Sequence, residues 1–370
     1  MAALRFFFYL LMKPIAIGMA VLGLTGILAP YIDPNTWWVP AFSGLFMPVI
    51  LIGNFFLLIF WGFHRKIWLV LPLITILLNY NYLFSIFQNP WKKLPEISDA
   101  GKVLHIASYN VEGFYEISHS PKGYALLRKL SLENIDILCV QEHCEEVNLD
   151  SATIRERIPL PFRCTFFNRR TSWANFGISV YSRHPIIRHT DIDFHSETNA
   201  AMWVDILVGQ DTIRVFNNHL QTTNVSLNKK KYYEYKSVKN WKGQAHTLVN
   251  LLEQLKENFQ IRARQSQLVR QIIDTTKYPV IVCGDFNDTP VSYAFNHIRN
   301  HDLTDGFRAC GKGYGHSFKG IKGLLRIDFI AYDSHFVGLT YDSPSLPGSD
   351  HNPIVMKLLK KKSNILEMNQ

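Results

Sequence analysis

The sequence predicts a membrane region of three apolar helices followed by a layered domain in which strands and helices alternate. Two observations carry this reading. Residues 1–90 are almost free of charge and rich in Leu, Ile, Phe and Trp. Beyond them, short apolar runs alternate with longer helical patterns, in the mixed composition of a soluble globular domain. The 47% hydrophobic content of the 370-residue chain averages over this split.

A spanning helix needs about 20 predominantly apolar residues. Three stretches qualify, at 4–29 (interrupted by Lys13), 41–63 and 67–87. Trp37, Trp38, Trp61, Trp68 and Trp91 flank them, as interfacial anchors do. No small-residue cleavage site is convincing, and two further apolar segments follow the first, which argues against a cleaved signal peptide. Arg5, Lys13, Arg65 and Lys66 lie at the start and in the link between segments two and three. Positive-inside asymmetry then puts the N-terminus inside and, after three crossings, the following domain on the outer side. Lys92 and Lys93 weigh against that orientation.

The expected organisation is a membrane region at 1–90, a linker at 91–102, a globular domain at 103–360 and a polar tail at 361–370. Residues 89–102 hold two prolines, lysines and Ser-Asp-Ala-Gly. Within the globular part, strands are expected at 104–108, 135–140, 177–181, 201–208, 213–217, 280–283, 327–332 and 353–358. Helices are expected at 123–134 and 248–275, the second broken near 258–260. The five cysteines form no CxxC pair and are odd in number, so no disulfide framework is expected. Cys139 and Cys283 lie in apolar runs, where free cysteine packs as a small hydrophobe.

Polar residues recur where these strands end. "VLHIASYN" ends on Asn110, with Glu112 two residues beyond, and "IDILCVQE" ends on Glu142. "IRVFNNHL" carries Asn218 and His219, and "PVIVCGDFN" carries Asp285 and Asn287. "LLRIDF" carries Asp328, and "GSDHNPIVMKL" places Asp350 and His351 just before a strand. Taken singly, each reads as a cap or turn. As a set, they can converge on one rim and hold a hard cation through oxygen ligands.

The ordered motifs "SYNVEGF", "CVQEH", "FNNHLQTT", "CGDFNDTP", "RIDFI" and "GSDHNPI" span essentially the whole globular part. In them the chain resembles the endonuclease/exonuclease/phosphatase superfamily. The resemblance implies a four-layer α/β sandwich, two packed mixed sheets with outer helices, and phosphoester hydrolysis with Mg²⁺ or Mn²⁺. It implies Glu142 as a metal ligand, with Asn110 and Asp350 nearby and Glu112 as an outer carboxylate. Asp285 would activate the attacking water, and Asn287 would bind a phosphate oxygen. His351, oriented by Asp328, would contact the phosphate or assist proton transfer, and His219 would stabilise or protonate the leaving oxygen. Which histidine is acid and which base stays open. "FNNHLQTT" departs from the Tyr-x-x-Asn arrangement of abasic-site endonucleases and is similar to the deoxyribonuclease I, sphingomyelinase and phosphatase branches.

An insert follows that motif. It holds Lys229, Lys230 and Lys231, then Lys236, Lys239 and Lys242, interleaved with Tyr232, Tyr233, Tyr235 and Trp241. Together with Asn218, the first three lysines are candidate substrate contacts. Such a segment suits single-stranded nucleic acid, an anionic membrane surface, or a solvated loop. The net charge of +9 fits nucleic acid, anionic lipid or a phosphorylated small molecule and does not choose among them. The expectation is an integral membrane phosphoesterase, with a membrane-tethered nuclease as the alternative and no protein partner implied. A binding protein with a decayed site is disfavoured, because every expected catalytic residue type is present.

Overall fold

The computed structural model describes residues 2–64, 66–94, 101–114, 135–147, 149–223 and 241–362. They form two compact units. The first draws on residues 1–85, 223–264 and 288–297, and the second on 86–222, 265–287 and 298–370.

The first unit holds helices α1 (Ala2–Gly26), α2 (Val39–Leu45), α3 (Met47–His64), α4 (Val70–Leu78) and α5 (Tyr80–Ile86). Tyr9–Gly26 and Met47–His64 are long and apolar enough to cross a membrane. Val21, Val49, Phe55 and Phe56 lie more than half exposed on them, as lipid-facing residues do. The second expected span is divided at Phe46, because Pro48 can stand in the first turn of α3 but not within one continuous helix. The third span is bent by 52° between α4 and α5. Asn79 ends α4 there, and its amide donates to the Thr75 and Gly23 carbonyls. Among the described residues there are thus two candidate spans and one bent pair where three membrane helices were expected. Lys13 faces the rings of Tyr9 and Trp68, at 5.0 and 5.6 Å, which partners a charge that is costly in an apolar helix.

Helix α7 (Trp241–Asp274) contributes its earlier part to the first unit and its end to the second. It is continuous where a break at 258–260 was expected. No Gly or Pro interrupts this stretch, and the Asn258 side chain donates to the Thr223 carbonyl instead of competing for its own backbone. The expected helix at 123–134 lies outside the described residues.

The second unit contains two six-stranded sheets. One has the order β13 (Phe336–Asp342), β14 (Ile354–Lys361), β2 (Gly101–Asn110), β3 (Ile137–Glu146), β5 (Ala174–Ser182) and β4 (Phe162–Arg170). The other runs β10 (Thr304–Asp305), β12 (Asp328–Tyr332), β9 (Val280–Asp285), β8 (Asp211–His219), β7 (Ala200–Val208) and β6 (Ile186–Ile192). Phe87–Gln88, strand β1, pairs separately with Gly313–Tyr314, strand β11. Each six-stranded sheet has one parallel pair at its centre, β2 with β3 and β8 with β9, and is otherwise antiparallel.

The sheets pack face to face. Leu104, Ile106, Ile137, Cys139 and Val180 of one meet Met202, Val204, Val215, Ile281 and Ile330 of the other in a shared core. Alternate residues Ala107, Tyr109, Leu138 and Val140 point the other way, where Ile154 of α6 (Ser151–Arg157) and Ile158 cover them. Burial on both faces explains the nearly unbroken apolar runs in these strands. All five cysteines are free and buried. Strands β4, β6 and β13 were not expected; β4 and β6 carry many polar residues, and on β6 five of the seven residues are exposed, one is half-buried and only Ile192 is buried.

Gly284 fixes the register of the central pair. It opposes Asn218, has φ +141°, and a Cβ there would lie 2.0 Å from the Asn218 carbonyl oxygen. Gly284→Ala should therefore lower stability by at least about 1–3 kcal/mol, from backbone strain and overpacking. Thermal unfolding of the full-length protein in detergent checks this, and an unchanged midpoint would show that β9 can shift without cost.

Candidate active site

The topology explains why the polar strand ends gather. The parallel pairs bring the ends of β2 and β3, and of β8 and β9, to the same edge of their sheets. Antiparallel β12 places Asp328 opposite Asp285, and β14 begins opposite Ser108 of β2. His219 opposes Asp285 across β8 and β9.

Asp285 lies at the centre of the resulting cluster and is 1% exposed. Its Oδ1 accepts the Asn287 backbone N–H at 2.8 Å, and its Oδ2 accepts the Asn110 amide at 3.0 Å. The same Asn110 amide donates to Glu142 Oε1 at 3.0 Å. His219 Nε2 stands 3.7 Å from Glu142 Oε1 and 3.8 Å from Asp285 Oδ2, with no hydrogen-bond partner among the described residues. His351 Nδ1 pairs with Asp328 Oδ2 at 2.9 Å, and its Nε2 lies 3.7 Å from Asp285 Oδ2 and 3.8 Å from Asp350 Oδ1. Glu112 Oε2 accepts the Asp350 N–H at 3.1 Å.

Backbone irregularities aim several of these groups. Glu142 has φ +52° at a bulge in β3 between Val140 and His143, which turns a side chain out of the regular alternation. Glu112 and Asn287 also have left-handed φ, +48° and +53°. Such conformations cost energy in residues other than Gly and persist where the surroundings over-determine them.

Electrostatics separate the titrating groups. Burial lifts the Asp285 carboxyl to about 6; Asp328 adds to this, while His351, His219 and Asn110 oppose it. Burial disfavours charge on His351, but Asp328, Asp285 and Asp350 outweigh it and carry the imidazole to about 10. Asp350 is raised by burial, with His351 opposing and Glu142 adding to the shift. Glu142 and Asp350 thus repel one another while remaining 40% and 37% exposed. Asp285, Asp328 and His351 also form a buried group whose ligand-type atoms lie within 4.8 Å of one another.

Ten of the thirteen expected site residues are therefore described, and nine stand in this cluster: Asn110, Glu112, Glu142, His219, Asp285, Asn287, Asp328, Asp350 and His351. Asn218 does not join them. Adjacent strand residues face opposite ways, and Asn218 is fully buried with its amide on the Cys283 carbonyl, so it offers no surface to a substrate. Lys229, Lys230 and Lys231 lie outside the described residues, as does most of their insert.

Sequence reasoning missed the layer beneath. The Asn217 amide reaches across to the Val140 and Ser179 carbonyls of the other sheet, at 3.0 and 2.9 Å. The Gln141 amide donates to Asn217 Oδ1 and Ser108 Oγ, at 2.6 and 3.0 Å. Ser349 Oγ donates to the Asn110 carbonyl and accepts the His351 N–H. Ser317 Oγ accepts the N–H groups of Ile327 and Asp328. Polar residues at inward-facing strand positions, as in "CVQEH" and "FNNHL", were the available signal for the first two.

Residues 107–351 match the Endonuclease/Exonuclease/phosphatase family, and residues 5–86 match a Domain of unknown function (DUF8431). No curated protein matches the chain significantly in sequence. An endonuclease/exonuclease/phosphatase family protein from Bacteroides thetaiotaomicron aligns with TM-score 0.51 and 15% identity, covering 71% of this chain and 99% of that one. A family protein from Bacteroides vulgatus gives TM-score 0.51 and 14% identity, covering 70% and 100%. A mannosyl-6-phosphatase from Bacteroides thetaiotaomicron gives TM-score 0.50 and 15% identity, covering 69% and 99%. The chain belongs to the endonuclease/exonuclease/phosphatase family, and its fold is that family's two-sheet sandwich. Members of this family are hydrolases acting on phosphoesters.

The Asp328–His351 pair makes a direct prediction. In the metal-free protein, His351 should stay protonated as pH rises through 8 and lose its proton near 10. Asp328→Asn removes an adjacent negative charge and should lower that midpoint by about 1–3 units. Nitrogen-15 NMR of labelled histidine reads both values, and an unshifted midpoint would detach Asp328 from His351.

Proposed function

We propose that this protein is a membrane-anchored, divalent-metal-dependent phosphoesterase that hydrolyses a phosphodiester or phosphomonoester by in-line attack of water. The observation that carries the reading is the setting of Asp285. It is a buried carboxylate with a raised pKa, held by Asn110 and Asn287 between two histidines. That is the setting of a general base poised near neutral pH.

The donor set fits a hard cation. Glu142 and Asp350 are exposed enough to reach one, repel each other without one, and offer oxygen ligands. Asn110 and Glu112 lie beside them. The buried group containing His351 fits less well, because its Nδ1 is already engaged by Asp328. A bound Mg²⁺ or Mn²⁺ would supply charge neutralisation at the phosphoryl oxygens.

The protein groups divide the remaining work. Asp285 takes the proton of the attacking water as its oxygen bonds to phosphorus. The His351 imidazolium, kept charged by Asp328, faces the anionic phosphoryl group and stabilises the charge that develops there. His219 Nε2 hydrogen-bonds the leaving oxygen as its bond to phosphorus breaks. Asn287, whose amide also donates to the Leu220 carbonyl at 3.1 Å, would hold a phosphoryl oxygen. We assign residues 1–90 to the anchor, 91–102 to a linker, 103–360 to the catalytic domain and 361–370 to a polar tail, with the catalytic domain on the outer side. One protein of this fold is named a mannosyl-6-phosphatase, which keeps monoesters among the candidate substrates.

Activity of the full-length protein on a chromogenic phosphodiester or monoester should vanish with EDTA and return with Mg²⁺ or Mn²⁺. Persistence after chelation would exclude the metal role. Asp285→Asn should lower kcat by roughly 10²–10⁴ without unfolding the protein; near wild-type turnover would remove Asp285 from the mechanism. Because the base works ionised, kcat/KM should fall as pH drops through about 6. A profile flat to pH 4 would contradict that assignment.

A further inference from the structure

The apolar helices share their compact unit with residues 288–297, the segment that follows Asn287 in the chain. Two side chains there are tied into that unit. Asp288 Oδ2 pairs with Arg262 Nε of α7 at 3.0 Å, both side chains being almost completely buried. Arg262 also donates to Thr223 Oγ1 at 3.1 Å. Thr289, fully buried, donates its hydroxyl to the Gly44 carbonyl of α2 at 3.2 Å.

The partners are themselves fixed. Ala41, Phe42 and Leu45 of α2 pack with Leu255 and Phe259 of α7. The loop between α1 and α2 joins the same helix: Arg264 donates to Asn35 Oδ1 at 2.7 Å, and Gln260 donates to the Pro34 carbonyl at 3.3 Å. Gly44 permits a close approach, since a Cβ there would come 2.8 Å from Ala29 Cβ.

We infer that the Arg262–Asp288 ion pair and the Thr289–Gly44 hydrogen bond fix residues 288 and 289 and, through the continuous chain, position Asn287. The argument rests on chain continuity. Asp285 and Asn287 are placed in the cluster, and Asn287 holds a left-handed φ of +53°. A residue in that conformation needs neighbours that over-determine it. Asp288 and Thr289 are the next two residues, and their side chains are held by groups distant in sequence, 26 and 245 positions away. A buried charge pair is weak evidence for stability, but it specifies one arrangement, because a shifted register leaves a charge unpaired. Asp288, Thr289 and Arg262 are accordingly positioning residues that act through Asn287 and Asp285.

The inference rests on the phosphoesterase reading for its kinetic test, so a second readout is independent of activity. The full-length protein in detergent micelles is assayed with bis-p-nitrophenyl phosphate and Mn²⁺, and amide hydrogen exchange is followed over residues 285–290. Thr289→Val keeps the shape and removes the donor; Thr289→Ser keeps the donor. Thr289→Val should lower kcat roughly ten- to hundredfold with KM within about twofold, the pattern of a misplaced catalytic group. It should also speed exchange at residues 285–290, while Thr289→Ser stays near wild type in both. Asp288→Asn, which keeps an acceptor but loses the charge, should follow Thr289→Val and serves if that variant does not fold. Wild-type exchange and kcat in both Thr289→Val and Asp288→Asn would overturn the inference. Equal losses in Thr289→Val and Thr289→Ser would overturn it too, by showing a packing role. A wild-type protein inactive on phosphoesters would sink the functional reading alone, and the exchange data would still decide the positioning role.

Discussion

The Asn110 amide donates to Glu142 in its own sheet and to Asp285 in the other, and the rest of the site depends on that bridge. Two sheets held only by Leu, Ile, Val and Met would have no unique registration, because apolar contact is non-directional. Hydrogen bonds supply the direction. Asn217 reaches the carbonyls of Val140 and Ser179, and Gln141 meets Asn217 and Ser108 on the way. These neutral amides are buried, where an unmet donor is expensive, so a displaced sheet would leave several groups unpaired at once. The cluster inherits its precision from this layer.

The same layer explains how acidic groups can be crowded without unfolding the domain. Asp285, Asp328 and Asp350 each lie within 4 Å of a His351 nitrogen. The imidazolium compensates part of that charge, and Asn110 and the Asn287 N–H compensate more. Repulsion remains between buried Asp285 and Asp328 and between the partly exposed Glu142 and Asp350.

The N-terminal helices show a second use of buried polarity. Asn54 and Asn79 place their amide N–H groups on carbonyls of their own and neighbouring helices, giving those donors the partners that an apolar surround demands. Further along the chain, Arg262 and Asp288 form an ion pair in the same unit. The unit that holds the apolar N-terminal helices thus also takes in residues 288–297, which the composition of the first 90 residues does not signal.

Local chemistry determined much of this from sequence. Apolar runs of four to eight residues marked most of the central strands, because both faces of each sheet are covered. Polar groups after those runs marked nine members of the cluster, since strand ends are where the chain leaves the core. Charge-free stretches marked the helices long and apolar enough to cross a membrane, because a bilayer excludes unpaired charge. Only the tertiary structure decided which of these residues meet. Asn218 and His219 are adjacent in sequence, yet one is sealed within the sheet and the other enters the cluster, because strand register sets their direction. Asn217 and Gln141 became supports because two strands 76 positions apart face each other. Helix α7 ran through Asn258 because a carbonyl elsewhere took up its amide. Each outcome depends on a partner distant in the chain, and such partners carry no local signature.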